Sequence, residues 1–263
     1  MNVSYNFVGR TAFITGAGSG IGRATALAFG RAGAQVAVTD IAEDGGVETV
    51  DLIRAAGGDA AFFRLDVTDF DAVASTVDAV VERFGGLDFA HNNAGIESPH
   101  VPFGDVDPDD WRRVIEVDLT AVFYCIKAEV AVMRPRGGGS IVNTASAAAL
   151  LAGYHSGPYT AAKHGLIGLT RSAAVDHALD GIRVNAICPG GVDTPFVGEV
   201  PQAIMQRLML GVPMKRLATA DEIAQSVLWL CSDGASYVTA AALPIDSGLT
   251  VLSAGTDFSD LER

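Results

Sequence analysis

Three residues stand out for the chemistry they could perform together: Ser146, Tyr159 and Lys163. Tyr159 and Lys163 are four apart in a stretch that reads as helix, so their side chains share one face. A free phenol titrates near pH 10 and is a poor base at neutral pH; bringing it toward 7 takes about 4 kcal/mol of preferential phenolate stabilisation, at about 1.36 kcal/mol per unit. A neighbouring Lys ammonium supplies much of that. Ser146 ends a predicted strand 13 residues earlier, where its hydroxyl could hold a substrate oxygen while Tyr159 takes or gives the proton. By itself a Tyr and Lys at this spacing is usually a surface pair. The chemistry therefore depends on the elements that position them.

Those elements alternate strand and helix. Short apolar runs predict strands at 11–15, 35–40, 60–67, 87–93, 140–146, 183–188 and 241–246. Amphipathic stretches predict helices near 21–32, 46–56, 71–84, 108–133, 158–179 and 221–231. Pro108 suits a first helical turn, Gly33 a helix end, and Thr219-x-x-Glu222 a capping box. The strands are almost continuously apolar, as they are when helices cover both sheet faces. The expected fold is α/β: one domain over residues 1–263, a doubly wound, Rossmann-like parallel sheet of seven strands with helices on both faces.

The first strand runs into Thr15-Gly16-Ala17-Gly18-Ser19-Gly20-Ile21-Gly22 and then a helix. Glycines allow a sharp turn and close approach of a pyrophosphate, and the helix N-terminus offers free N–H groups. Asp40 ends the second strand 18 residues after Gly22, where an acidic residue meets ribose hydroxyls. Its charge repels a 2′-phosphate, and no Arg or Lys occupies 41–44, so NAD is expected over NADP. Asp66-Val67 and Asn92-Asn93-Ala94-Gly95 end the third and fourth strands at the same edge, with Asp66 placed to face the adenine.

The net charge of −13, from 31 acidic and 18 basic residues, argues against polyanions, so no nucleic-acid partner is expected. Apolar residues make up 49% of the chain, which excludes a disordered one. Cys125, Cys188 and Cys231 lie far apart without metal-ligand spacing, so no metal is expected and a reducing, cytoplasmic setting is. The N-terminus lacks a secretory pattern and no apolar run spans a membrane.

Taken together, the motifs resemble the short-chain dehydrogenase/reductase family. They are Thr15-Gly16-x-x-x-Gly20-x-Gly22, Asp66-Val67, Asn92-Asn93-Ala94-Gly95, Ser146, Tyr159-x-x-x-Lys163 and Pro189-Gly190, and the resemblance runs from about Phe7 to Gly248. It implies Tyr159 as acid/base, Lys163 as holder of the nicotinamide ribose and tuner of the phenol, and Ser146 as holder of the substrate oxygen. It also implies Gly16, Ser19, Gly20, Ile21, Gly22, Asp40, Ile41, Asp66, Val67, Asn93, Ala94, Gly95, Pro189, Gly190, Val192 and Thr194 around the cofactor. Hydride would pass between the substrate carbon and C4 of the ring. Two positions depart from the pattern: Asp118 stands where the fourth catalytic residue is usually Asn, and Ser247 where a Gly is usual. Asp118 could pair with Lys163 and weaken its pull on Tyr159, which would alter the pH profile.

Residues 191–213 form the expected substrate lid, rich in apolar side chains such as Pro195, Phe196, Val197, Val200, Ile204, Met205, Leu208, Met209 and Leu210. Glu97 and His155 are the polar candidates in the pocket, whereas His91, His100, His164 and His177 read as solvated. The small residues Ala162, Gly165 and Ala173 on the 158–179 helix suit packing against a second copy, and the family resemblance implies a homotetramer. The expected activity is hydride transfer between NAD and a hydrophobic secondary alcohol or its ketone, with cyclic alcohols among the candidates. The rivals are an NADPH-dependent 3-ketoacyl-thioester reductase and a non-catalytic NAD-sensing module.

Overall fold

The computed structural model describes residues 4–196, 205 and 209–252. One parallel sheet carries seven strands: β1 (Thr11–Thr15), β2 (Gln35–Asp40), β3 (Asp59–Arg64), β4 (Phe89–Asn92), β5 (Gly139–Thr144), β6 (Ile182–Pro189) and, after the short pair β7 (Val192–Asp193) and β8 (Ala218–Thr219), β9 (Ala242–Ile245). The order is β3-β2-β1-β4-β5-β6-β9, so the chain reverses direction across the sheet between β1 and β4. A ligand crevice opens at such a reversal, beyond the carboxyl ends of the strands.

Alternate residues of β1 serve opposite cores. Phe13 packs with Val77, Ile126 and Leu166 under α3 (Phe70–Phe84), α5 (Ala121–Met133) and α6 (Gly157–His177). Ala12 and Ile14 pack with Phe29, Ile53 and Val227 under α1 (Gly20–Arg31), α2 (Glu43–Ala55) and α7 (Ala220–Cys231). All five β1 residues are buried, which explains the unbroken apolar run. Thr219 and Glu222 form the expected capping box at α7.

Three expectations are corrected. The 60–67 strand ends at Arg64, because its only partner β2 ends there, with Asp40 opposite Arg64. Asp66 and Val67 lie beyond the ladder. The single helix expected over 108–133 is α4 (Pro108–Ile115) and α5, joined by one π-helical turn, Glu116–Thr120, with Asp118 inside it. Such turns bring an inward side chain off the regular helical spacing and recur at functional sites. The three small residues expected to meet a second copy face their own chain instead: Ala162 and Ala173 are buried, and a Cβ on Gly165 would meet Leu119 at 2.9 Å.

Ser247, at the usual glycine position, has φ +61°, where a side chain is strained; its Oγ accepts the Met214 N–H at 2.8 Å. Cys125, Cys188 and Cys231 are free and buried. Among the described residues no helix is long and apolar enough to cross a membrane, and no cluster of His, Cys, Asp or Glu could hold a metal.

Candidate active site

A cleft of about 1470 Å³ runs along the carboxyl ends of the strands. Pockets for one small ligand are typically about 300–1,000 Å³, so this one has room for a dinucleotide and a second molecule. One half is lined by Gly16, Ser19, Gly20, Ile21, Asp40, Ile41, Asp66 and Val67. Ser19 caps α1 in extended conformation without a side-chain cap bond, which leaves the first helical amides for a ligand. Asp40 accepts the Gly18 N–H and the Ala42 N–H, each at 2.8 Å, so its carboxylate is pinned at the cleft edge. A Cβ on Gly18 would stand 2.7 Å from Asp40 Oδ2, so only glycine permits that contact. Arg23, nearby, is engaged by Glu48 at 2.6 Å and by the Gly18 carbonyl.

Gly22 does not line the cleft as expected of a cofactor contact. A Cβ there would lie 2.1 Å from the Gly16 carbonyl oxygen, so its role is to let α1 pack under the loop. Asn93 and Ala94 do line the cleft, and their N–H groups donate to Thr15 Oγ1 at 2.9 and 3.1 Å, tying β4 to β1 at the reversal point.

Ser146, Tyr159 and Lys163 converge in the other half, with Gly95, Pro189, Gly190, Val192 and Thr194 between the two halves. Ser146 accepts the Ala148 N–H at 3.1 Å, so its own proton is free to meet the Tyr159 oxygen, to which it is hydrogen-bonded. Lys163 Nζ donates to the Thr144 carbonyl at 3.2 Å and lies 5.3 Å from the Tyr159 ring centre. The Phe196 ring stands 6.3 Å from that of Tyr159.

Asp118 changes the electrostatics expected of this triad. It is fully buried behind Lys163, with Oδ1 accepting the Ile96 N–H at 2.8 Å and Oδ2 3.7 Å from Lys163 Nζ. Burial raises its pKa above the usual carboxylate range, and Lys163 and the Ile96 N–H oppose that. The net shift of the phenol is opposite to the one expected from the Tyr-Lys spacing. The Tyr159 pKa is raised instead, by burial first and then by the charges of Asp118 and Glu97, with the Ser146 hydrogen bond opposing. The protein alone holds Tyr159 as the neutral phenol.

Glu97 and His155 both line the cleft, as expected. His155 has φ +60° and stacks on Tyr154, their ring centres 3.8 Å apart. Two histidines expected to be solvated are not. His91 is buried on β4 with Nε2 2.8 Å from Thr144 Oγ1, and burial lowers its pKa to about 3, so it is neutral. His100 lines the cleft, and both its ring nitrogens are shielded from solvent without a hydrogen-bond partner among the described residues. Of the expected lid, Pro195, Phe196, Met205 and Leu210 line the cleft; Val197, Val200, Ile204 and Leu208 lie outside the described residues. Leu249, unforeseen, joins them from beyond β9.

The comparisons agree with this geometry. A family model described as Enoyl-(Acyl carrier protein) reductase matches residues 16–250. The chain is 44% identical to a cis-4-hydroxycyclohexanecarboxylate dehydrogenase of Sinomonas cyclohexanicum, over 94% of this chain and 98% of the relative. It is 42% identical to a cyclohexanol dehydrogenase of Acinetobacter sp. (strain SE19), again over 94% and 98%. The crystal structure of levodione reductase superposes with a TM-score of 0.91 at 36% identity, covering 94% of this chain and 100% of that one.

The chain belongs to the short-chain dehydrogenase/reductase family.

It is thus an oxidoreductase using a nicotinamide cofactor. The cradle fits such a group: glycine where a Cβ would fill the loop, uncapped helical amides for the phosphates, and a pinned carboxylate at the ribose end.

Proposed function

We propose that the protein is an NAD-dependent dehydrogenase that interconverts a hydrophobic, cyclic secondary alcohol and its ketone. The observation that carries this reading is the convergence of Ser146, Tyr159 and Lys163 on an apolar pocket continuous with the Asp40 groove. The named activities of the two dehydrogenase relatives, both on cyclohexane-ring alcohols, support the substrate class. Asp40 supports NAD: its carboxylate suits ribose hydroxyls and opposes a 2′-phosphate, and Arg23 is already paired with Glu48.

When bound, the oxidised cofactor would supply the hydride acceptor and a positive charge. Tyr159 then takes the proton of the substrate hydroxyl, at its phenolic oxygen, and returns it during reduction. Ser146, its oxygen fixed by the Ala148 N–H, aims its own proton at the reacting oxygen. Lys163 carries positive charge to the ribose end and Asp118 holds it there, which makes Asp118 a positioning residue. Phe196, Met205 and Leu210 give this part of the cleft an apolar lining.

The family model's description names an acyl-carrier substrate, which favours the thioester reading. A net charge of −13 opposes an acidic carrier protein, and Asp40 opposes NADPH. A pure NAD sensor would have no use for the Ser-Tyr-Lys constellation. The deciding assay follows reduced nicotinamide with NAD and NADP against cyclohexanol, linear secondary alcohols and 3-hydroxyacyl thioesters. NAD-linked oxidation of the ring alcohol, lost in Tyr159→Phe, is the expected result. Preference for NADP or for the thioester, or activity surviving in Tyr159→Phe, overturns the reading.

We further place the enzyme in the cytoplasm, in keeping with its free thiols, and as a homotetramer. Exposed Phe123, Val175, Leu179, Trp229 and Tyr237 are the apolar groups that subunit contacts would cover. Light scattering giving a monomer mass at micromolar concentration refutes the assembly.

A further inference from the structure

The substrate half of the cleft carries apolar side chains such as Phe196, Met205 and Leu210, and among its polar groups besides the reacting ones are His155, on the segment before α6, and a pair on another loop. The loop after β4 brings Glu97 and His100 to its wall. That loop is anchored at both ends. The Ile96 N–H is bound by Asp118, and Phe103 rests on Gly157, where a Cβ would meet its ring at 2.7 Å. Gly157 begins α6, two residues before Tyr159, so the loop is held against the element that carries the acid/base.

The two side chains are engaged unequally. Glu97 Oε1 accepts the adjacent Ser98 N–H at 2.9 Å, which leaves its second oxygen for a group in the cleft. Both ring nitrogens of His100 are shielded from solvent and without a partner. Buried polar atoms are nearly always paired, so an imidazole in a cleft wall with both nitrogens shielded and no partner among the described residues calls for a ligand. Glu97 and His100 also act on each other: the imidazole draws the carboxyl down while burial, the larger influence, raises it.

Resting on the ring-alcohol reading above, we propose that Glu97 and His100 form a second polar subsite that receives a second hydroxyl of the substrate, so that the alcohol this enzyme takes is a ring diol. A hydroxyl is the group that suits both residues, because it donates to the carboxylate and accepts from an imidazole N–H. A ketone would satisfy His100 alone. A carboxylate would meet Glu97 with like charge. A ring mono-alcohol would leave the His100 nitrogens shielded and unpaired, and sites built to bind a hydroxyl discriminate against analogues that lack it.

The test compares kcat/KM, with NAD, for cyclohexanol, 4-hydroxycyclohexanecarboxylate and the cis and trans isomers of 1,2-, 1,3- and 1,4-cyclohexanediol. The best diol is expected to exceed cyclohexanol and the carboxylate by roughly 10–100-fold, the worth of one hydrogen bond to a charged group. That ratio collapses in His100→Leu and returns in His100→Gln, which restores a donor; a merely structural His100 would lower all substrates together and leave the ratio in place. Cyclohexanol or the carboxylate used as well as every diol, or a ratio unmoved in His100→Leu, overturns the subsite while the ring-alcohol reading stands. If linear alcohols or thioesters are turned over and no ring alcohol is, that reading falls and the subsite falls with it.

Discussion

Asp118→Asn probes how this chain sets the phenol's acidity. The substitution keeps the oxygen that accepts the Ile96 N–H and replaces the one facing Lys163 by an amide, so what changes is a charge. At an effective dielectric of about 20, an ammonium 5.3 Å from the Tyr159 ring favours the phenolate by about 3 kcal/mol. Asp118 lies 3.7 Å from that ammonium. Even at its far limit, about 9 Å from the ring with the groups in line, its charge opposes the phenolate by roughly 1.8 kcal/mol, or about 1.4 pH units. Alcohol oxidation needs the phenolate and so rises with pH through the phenol's pKa. Removing the carboxylate charge stabilises the phenolate, and the acid limb of kcat/KM for oxidation moves to lower pH by about one unit. Ketone reduction, which needs the phenol, loses rate at correspondingly lower pH. The assay is initial rates in both directions at saturating cofactor, from neutral to alkaline pH, for wild type and Asp118→Asn. Superimposable profiles, or a limb displaced upward, refute an ionised Asp118 acting on Tyr159.

Three further outcomes follow from the geometry. Asp40→Ala removes the acceptor for ribose hydroxyls and should lower kcat/KM for NAD by roughly 10–100-fold while raising use of NADP, measured by steady-state rates with each cofactor. Gly22→Ala drives a Cβ into the Gly16 carbonyl, 2.1 Å away, and should cost about 1–3 kcal/mol in urea denaturation together with weaker NAD binding by fluorescence titration. Glu129 is fully buried on α5, accepts from Asn92 at 3.1 Å and is pushed up to about 8 by burial, so the stability it contributes is full below about 4.5 and is lost as pH rises through about 8. Glu129→Gln keeps an oxygen for Asn92 and should match wild type near pH 5 but exceed it by roughly 3–5 kcal/mol near pH 8, read from urea midpoints.

The seven strands and the glycine turn were legible because each rests on local pattern: apolar runs buried on both faces, and glycines where a Cβ would collide. The π-helical turn was not, because Glu116–Thr120 reads as ordinary helix and its departure is visible only in tertiary contacts, Asp118 reaching Ile96 and Lys163. The one signal was Asp118 itself, an acid where the family usually has an amide. His91 and His100 look alike in sequence; one is neutralised by burial on β4 beside Thr144, the other lines the cleft from the loop after β4 without a partner among the described residues, and only the tertiary fold separates them.

The same dependence on placement governs the acidic residues. A net charge of −13 describes the surface as a whole and says little about the cleft and the groups behind it, where Asp40, Asp118 and Glu97 differ in how they are compensated. Asp40 has two backbone N–H donors. Asp118 has one N–H and an ammonium. Glu97 has a single N–H from its neighbour in sequence and an imidazole beside it that is itself unpaired. Compensation inside the protein is therefore most complete where the cofactor is positioned and least complete at the wall facing the second molecule. His100, shielded from solvent and without a hydrogen-bond partner among the described residues, is the wall group that a second polar atom of the substrate would satisfy.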